Sequence, residues 1–312
     1  MIVDLHTHLW DRLEQLGADS AARVRRIAAG RWERPDGAID AFADAMRTVD
    51  CAVILGFESD YIGASISIEQ VRGYIALDPA RRLGFAGIDP LKAGYLDRVR
   101  EAVDAQMRGI VISPAAQAMH PAHSRAMRLY EACAERNLPV LVHPGTHLST
   151  QSHLAFSRPH LLDEVLREVA GLRLIVAQMG HPWVDETLVL LTKYEHAYAD
   201  ISDLTNKPWH LYSALLLAHE QEVTDRLLFG SDFPFCTPEQ AIVNLYSVNT
   251  LTKGTPLTNI PREKLRAIVE RDSLALLNIA PPSTAKGAKP QPAAGGRTQG
   301  AAMDASVKES VG

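Results

Sequence analysis

Short apolar runs and longer amphipathic segments alternate along almost the whole chain. The runs 2–6, 52–56, 83–88, 109–113, 140–143, 174–177, 197–201 and 227–230 are apolar on both faces and rich in valine, isoleucine or leucine. That is the pattern of strands buried in a parallel sheet. Between them, helical periodicity marks 41–48, 96–107, 124–136, 161–170, 184–194, 211–221 and 238–246. Eight strand–helix units over about 280 residues predict an α/β chain folded as a (β/α)8 TIM barrel. An open doubly wound sheet rarely needs so many units, and no glycine-rich phosphate loop follows the first strand.

Three segments fall outside the alternation. Residues 18–34 form a basic, helix-like insertion after the first strand. They read as a solvated helix, with a lid over the barrel mouth or a subunit contact as the alternatives. Residues 261–278 read as one or two closing helices. From 281 to 312 the composition shifts to Pro, Ala, Gly, Ser and Lys with almost no large apolar side chain, which predicts a disordered tail. The catalytic domain is therefore expected to span 1–280.

Composition narrows the class of protein. With 46% apolar and 22% charged residues the chain is an ordinary globular one, and a net charge of −5 gives no reason to expect nucleic acid or an acidic membrane surface as a partner. Three scattered cysteines are too few for a disulfide framework, and no apolar stretch approaches about 18 residues. A cytoplasmic location and a small-molecule substrate are expected.

The chemistry sits where the predicted strands end. Alternation in Leu5-His6-Thr7-His8 sends the two imidazoles to one face and Leu5 and Thr7 to the other. The runs 140–143 and 227–230 lead to His143 and Asp232 respectively. A parallel barrel gathers its strand ends at one mouth. Three imidazoles and one carboxylate there suit one divalent ion, Zn²⁺ first and Mn²⁺ next, with Asp232 placed to take a proton from an activated water. Each histidine alone is as easily explained by core packing; four such groups at matching strand ends are not. Arg158 and His147, on the loop after the fifth strand, are candidates for binding a substrate carboxylate, although a surface ion pair accounts for Arg158 equally well. Trp10 and Phe233 are candidate walls for a planar substrate, or simply packing. Asp200, at the end of the seventh strand, is placed to orient a ligand.

The motifs Asp4-x-His6-x-His8, Gly87-x-Asp89-Pro90, His143-Pro144-Gly145, Met179-Gly180-His181-Pro182-Trp183 and Gly230-Ser231-Asp232-Phe233-Pro234 resemble those of the amidohydrolase superfamily. They are most similar to its amidohydrolase-related (amidohydrolase 2) branch of metal-dependent hydrolases and nonoxidative decarboxylases. The resemblance covers residues 1 to 280 and implies a TIM barrel with one divalent metal on His6, His8, His143 and Asp232, and a homodimer as the usual assembly. Two departures stand out. Binuclear members carry a lysine on the fourth strand, which the run 109–114 lacks; this argues for a mononuclear site. Many members also carry a histidine on the sixth strand, where this chain has Gln178. Glutamine can hydrogen-bond but cannot relay protons, so either Gln178 acts as a donor or His181 takes over the proton transfer.

The leading functional expectation is hydrolysis of an amide, ester or lactone by a metal-activated water in a small carboxylate-bearing or cyclic metabolite. The alternative is nonoxidative decarboxylation of an aromatic or enoic acid at the same site, which the missing strand 6 histidine disfavours. A barrel that only binds a metabolite or a protein is the third reading.

Overall fold

The computed structural model describes residues 1–29, 37–145 and 149–282, with the side chains of 27–29 excepted. Among the described residues there are ten strands: β1 (Val3–Thr7), β2 (Cys51–Leu55), β3 (Phe57–Ser59), β4 (Ala64–Ile66), β5 (Arg82–Gly87), β6 (Gly109–Ile112), β7 (Val140–Val142), β8 (Leu174–Val176), β9 (Ala197–Asp200) and β10 (Leu227–Leu228). Eight of them form one parallel sheet in the order β1-β2-β5-β6-β7-β8-β9-β10. The sheet curls round on itself. The Leu5 amide donates to Phe229 O at 3.0 Å, the Asp232 amide to His6 O at 3.0 Å and the His8 amide to Phe233 O at 2.8 Å. All eight predicted strands are present, and the expected TIM barrel is what forms.

Side chains sort into two layers, as apolar runs with two buried faces require. Val3, Leu5, Val53, Leu55, Phe85, Val111, Leu141, Ile175 and Leu228 fill the barrel, and Leu274, Leu277 and Ile279 from the C-terminal helical segment pack with them. The opposite faces of the same strands, including Ile54, Ile110, Ile112, Val140 and Leu174, pack against the surrounding helices. Full burial of a Leu or Ile contributes about 1.5–3 kcal/mol, so this double layer dominates the stability of the fold.

Two elements depart from the expected alternation. An antiparallel hairpin, β3 with β4, follows β2, and its three-residue strands are too short to show a period. The helix Ile68–Ala76 then returns the chain to β5. Ser67 caps it by accepting from the Gln70 amide, a start signal the apolar periodicity alone does not reveal. The predicted insertion is a helix over Ala18–Ala29. Its first turn is tied to the segment after β7, where Asp19 Oδ2 accepts from the Thr150 amide at 2.5 Å and hydroxyl at 2.9 Å. Residues 30–34 of that insertion, and the predicted tail from 283 onward, lie outside the described residues. Among the described residues no helix is long and apolar enough to cross a membrane.

Candidate metal centre

The first two imidazoles reach the mouth because β1 breaks its own alternation. Val3 and Leu5 point into the barrel, so strict alternation would turn His6 outward against the helices. Between Asp4 and Thr7 the register against β2 slips: Asp4 lies opposite Ala52, but Thr7 opposite Ile54. This bulge re-aims the strand end. Thr7 donates its hydroxyl to Val53 O at 2.7 Å, while His6 and His8 come together with their Nε2 atoms 3.1 Å apart. The expected simple opposition of Leu5 and His6 is thus corrected by one extra residue. Asp4 helps to fix the bend, its Oδ1 accepting from the amides of His6 at 3.2 Å and Ser231 at 2.9 Å. Gly230 leaves room for His6, because a Cβ there would lie 2.7 Å from the His6 Cβ.

His143 follows β7 directly, its amide held by Ile112 O at 2.8 Å. The turn bends away at Gly145, whose φ of 66° suits glycine and whose amide donates to His143 Nδ1 at 3.1 Å. Its ring centre lies 5.4 Å from that of His6 and 5.9 Å from that of His8. Nitrogen atoms of His6, His8 and His143 all fall within 4.8 Å of one another. Asp232, in a left-handed backbone conformation (φ 64°), brings Oδ1 to 3.6 Å from Nε2 of both His6 and His8. Ligands held about 2.1 Å from a tetrahedral ion are separated by about 3.4 Å. The 3.1 and 3.6 Å separations found here bracket that value, and the donor set fits a single divalent ion.

Asp200 orients this group from behind. Its Oδ2 lies 3.0 Å from His6 Nδ1, which leaves His6 Nε2 facing the other imidazoles. Its Oδ1 accepts from the Ser202 hydroxyl at 2.5 Å and from the amides of Ser202 and Gln178, each at 3.0 Å. Burial alone would raise the Asp200 carboxyl, yet His6 and these hydrogen bonds hold it below the ordinary carboxylate range. Burial opposes charge on His6, but Asp200, joined by Asp232 and Asp4, pushes the imidazole up to about 9. Burial and the nearby His6 press His8 down to about 3. Burial also raises Asp232 to about 7 and Asp4 to about 6. Burial thus disfavours the charged forms of Asp4 and Asp232, and a divalent cation held here would favour them.

The other predicted residues divide. Gln178 and Met179 are both left-handed, with φ of 55° and 48°. Gln178 is 4% exposed, and among the described residues its Oε1 has no hydrogen-bond partner. His181 is buried, with Nε2 3.3 Å from Nδ1 of the exposed His210. His210 lies in the helix Pro208–Glu220, and nothing local to that helix marks this tertiary pairing. Arg158 is engaged by Glu186 through Nε at 3.0 Å and through Nη2, and its guanidinium sits 5.4 Å above the Trp183 ring centre. It also lines a small cleft with His143, Phe156 and Gly180. Trp10 is covered by Gly37 and lies 6.3 Å from Phe235. Phe233 packs edge-on against Phe42, centres 5.5 Å apart, in the layer between strands and helices. His147 lies outside the described residues.

The family profile described as amidohydrolase matches residues 3–269. No protein with a curated description matches the sequence. Among solved structures, an uncharacterised TIM-barrel protein from Bordetella bronchiseptica superposes with a TM-score of 0.70 at 19% identity, covering 89% of this chain and 98% of its own. An amidohydrolase from Burkholderia multivorans with bound zinc has a TM-score of 0.65 at 14% identity, covering 90% of this chain and 100% of its own. A dihydroxybenzoic acid decarboxylase from a Polaromonas species, with bound manganese and the inhibitor 2-nitroresorcinol, has a TM-score of 0.57 at 14% identity. It covers 89% of this chain and 96% of its own. At these identities the three structures share the fold with this chain.

Proposed function

Since the chain belongs to the amidohydrolase family, we propose that it is a mononuclear metal-dependent hydrolase acting on an amide, ester or lactone of a small metabolite. The observation that carries this reading is the convergence of His6, His8 and His143, within 4.8 Å of one another, on the carboxylate of Asp232. The imidazole-rich set favours Zn²⁺, with Mn²⁺ the alternative. A divalent ion held by His6, His8, His143 and Asp232 supplies Lewis acidity to a substrate carbonyl and acidity to a water.

This chain's own residues supply the remaining steps. Asp232 stands 3.6 Å from two of the three imidazoles, within reach of a water placed among them. It accepts that water's proton and returns it to the leaving group. Asp200 fixes the tautomer and orientation of His6 through Nδ1. Gln178 Oε1, buried beside this network, accepts a hydrogen bond from substrate or water. His181, with Nε2 3.3 Å from His210 Nδ1, is the second candidate for proton transfer at this turn.

Decarboxylation is the second reading, and the manganese-containing decarboxylase of the same fold is what favours it. Gln178 weighs against it, because an amide cannot protonate a ring carbon. The test is metal content by mass spectrometry, paired with turnover of lactones, esters, amides and hydroxybenzoates in wild type, His143→Ala and Asp232→Asn. Hydrolysis requires one metal per chain, incorporation of ¹⁸O from water into product, and loss of turnover by orders of magnitude in both folded variants. Release of CO₂ without ¹⁸O incorporation would establish the decarboxylase reading instead.

A further inference from the structure

At the far end of the barrel from the imidazoles, where β2 and β5 begin, a cavity of about 270 Å³ opens beside the helix Ile39–Ala45 and the turn Met46–Thr48. Its walls include Phe42, Cys51, Asp78, Arg81 and Arg82, with Arg47 at the rim. The exposed Arg47 pairs with Asp44 at 2.6 Å, so those two charges offset each other. Arg81 and Arg82 are different. Arg81 donates to the carbonyls of Met46 and Val49 at 2.7 and 2.6 Å, which positions its guanidinium without neutralising it.

Arg82 is 7% exposed, lies 5.3 Å above the Phe42 ring centre, and donates through Nη1 to Tyr74 O at 3.0 Å. A guanidinium carries five donors. Among the described residues neither Arg81 nor Arg82 has a carboxylate within ion-pair distance, and Asp78 is the only acidic wall residue besides Asp44. Among the lining residues, two arginines stand against Asp78 alone once Asp44 is paired with Arg47. Burying a cation without a partner is costly, and a partner from solution would relieve that cost.

We propose that this cavity binds a small oxyanion, a phosphate or a carboxylate, gripped by the remaining edge of Arg82 and by Arg81. One water claims about 30 Å³, so the volume admits an anion of several heavy atoms with bridging waters. Planar guanidinium forks match the paired oxygens of both groups. Because the site lies at strand starts, where residues of a barrel serve stability and not chemistry, occupancy raises the melting temperature and leaves turnover unchanged.

The experiment titrates inorganic phosphate, and separately acetate, into the full metal-loaded chain, following heat and melting temperature. It is repeated on Arg82→Met and on Ala43→Glu. Ala43 is an exposed helix residue on the cavity wall, so Ala43→Glu places a competing carboxylate without disturbing the core. Wild type is expected to bind one anion with a Kd of about 1 mM or tighter, weakened at least tenfold in both variants, with turnover of Ala43→Glu unchanged. Tighter phosphate would identify a phosphate site, and tighter acetate a carboxylate site. Should Arg82→Met fail to fold, Ala43→Glu decides alone. Undiminished binding in Ala43→Glu, or no binding to wild type at about ten times that concentration, would overturn the proposal.

Discussion

Asp200 Oδ2 lies 3.0 Å from His6 Nδ1, and its Oδ1 accepts the Gln178 amide at 3.0 Å. One carboxylate therefore orients a metal-ligand candidate and pins the turn after β8. The arrangement makes Asp200 a positioning residue. Replacing it with Asn keeps the shape but offers an uncharged partner to His6, and loss of such outer partners costs about 10–100-fold in metal affinity. Competition with a chromophoric chelator should show that loss in Asp200→Asn while the far-UV circular dichroism is unchanged. Wild-type affinity in the variant would mean that Asp200 is only a packing group.

Gly230 is where the last strand passes the first. A Cβ at this position would lie 2.7 Å from the His6 Cβ and 3.3 Å from the Ser202 Cβ. His6 is held by Asp200 and by its own backbone bonds, so neither element can move aside cheaply. Gly230→Ala is expected to destabilise the fold by about 1–3 kcal/mol and to lower metal occupancy at the same time. Differential scanning calorimetry with metal analysis checks both; a stable, fully loaded variant would show that the crossing has slack.

Much of this was legible in the sequence, and the reasons are physical. Strands with two buried faces must be continuously apolar, so all eight barrel strands could be located, and strand ends such as His143 and Asp232 follow from them. The β1 bulge could not be read, because it is a register choice made against β2: Asp4 pairs with Ala52 and Thr7 with Ile54. The hairpin β3–β4 has strands too short to carry a period. Pairings that span the fold, Arg158 with Glu186 and His181 with His210, depend on loop geometry that no local pattern encodes. The role of Phe233 turned on which way one ring faced, and it faces Phe42.

The cysteines give a pH dependence of stability. Burial pushes Cys51 and Cys133 up to about 12, with Asp4 adding to the effect at Cys51, and pushes Cys236 up to about 11. Their ordinary value is 9.0. The folded state therefore keeps protons that the unfolded chain releases, so this contribution is fully present below pH 9 and is lost as pH rises toward 12. At one unit above the unfolded value each such thiol costs about 1.4 kcal/mol. Melting temperatures of wild type should fall between pH 8 and pH 10, and the fall should be smaller in Cys133→Ala. Equal slopes would show that the thiol stays accessible to solvent when folded.

Gln178 offers the sharpest separation between a structural and a functional role. Its Oε1 is buried with no hydrogen-bond partner among the described residues, and an unsatisfied buried acceptor costs about 1–3 kcal/mol. A residue kept only for packing would be improved by removing that acceptor at no other cost. If Oε1 instead waits for a donor on substrate or water, Gln178→Met should raise the melting temperature of the protein and lower kcat, with metal content unchanged. The shape is nearly conserved, and the backbone amide bond to Asp200 does not involve the side chain. A variant that is more stable and equally active would remove Gln178 from the reaction and leave proton handling to Asp232 and His181.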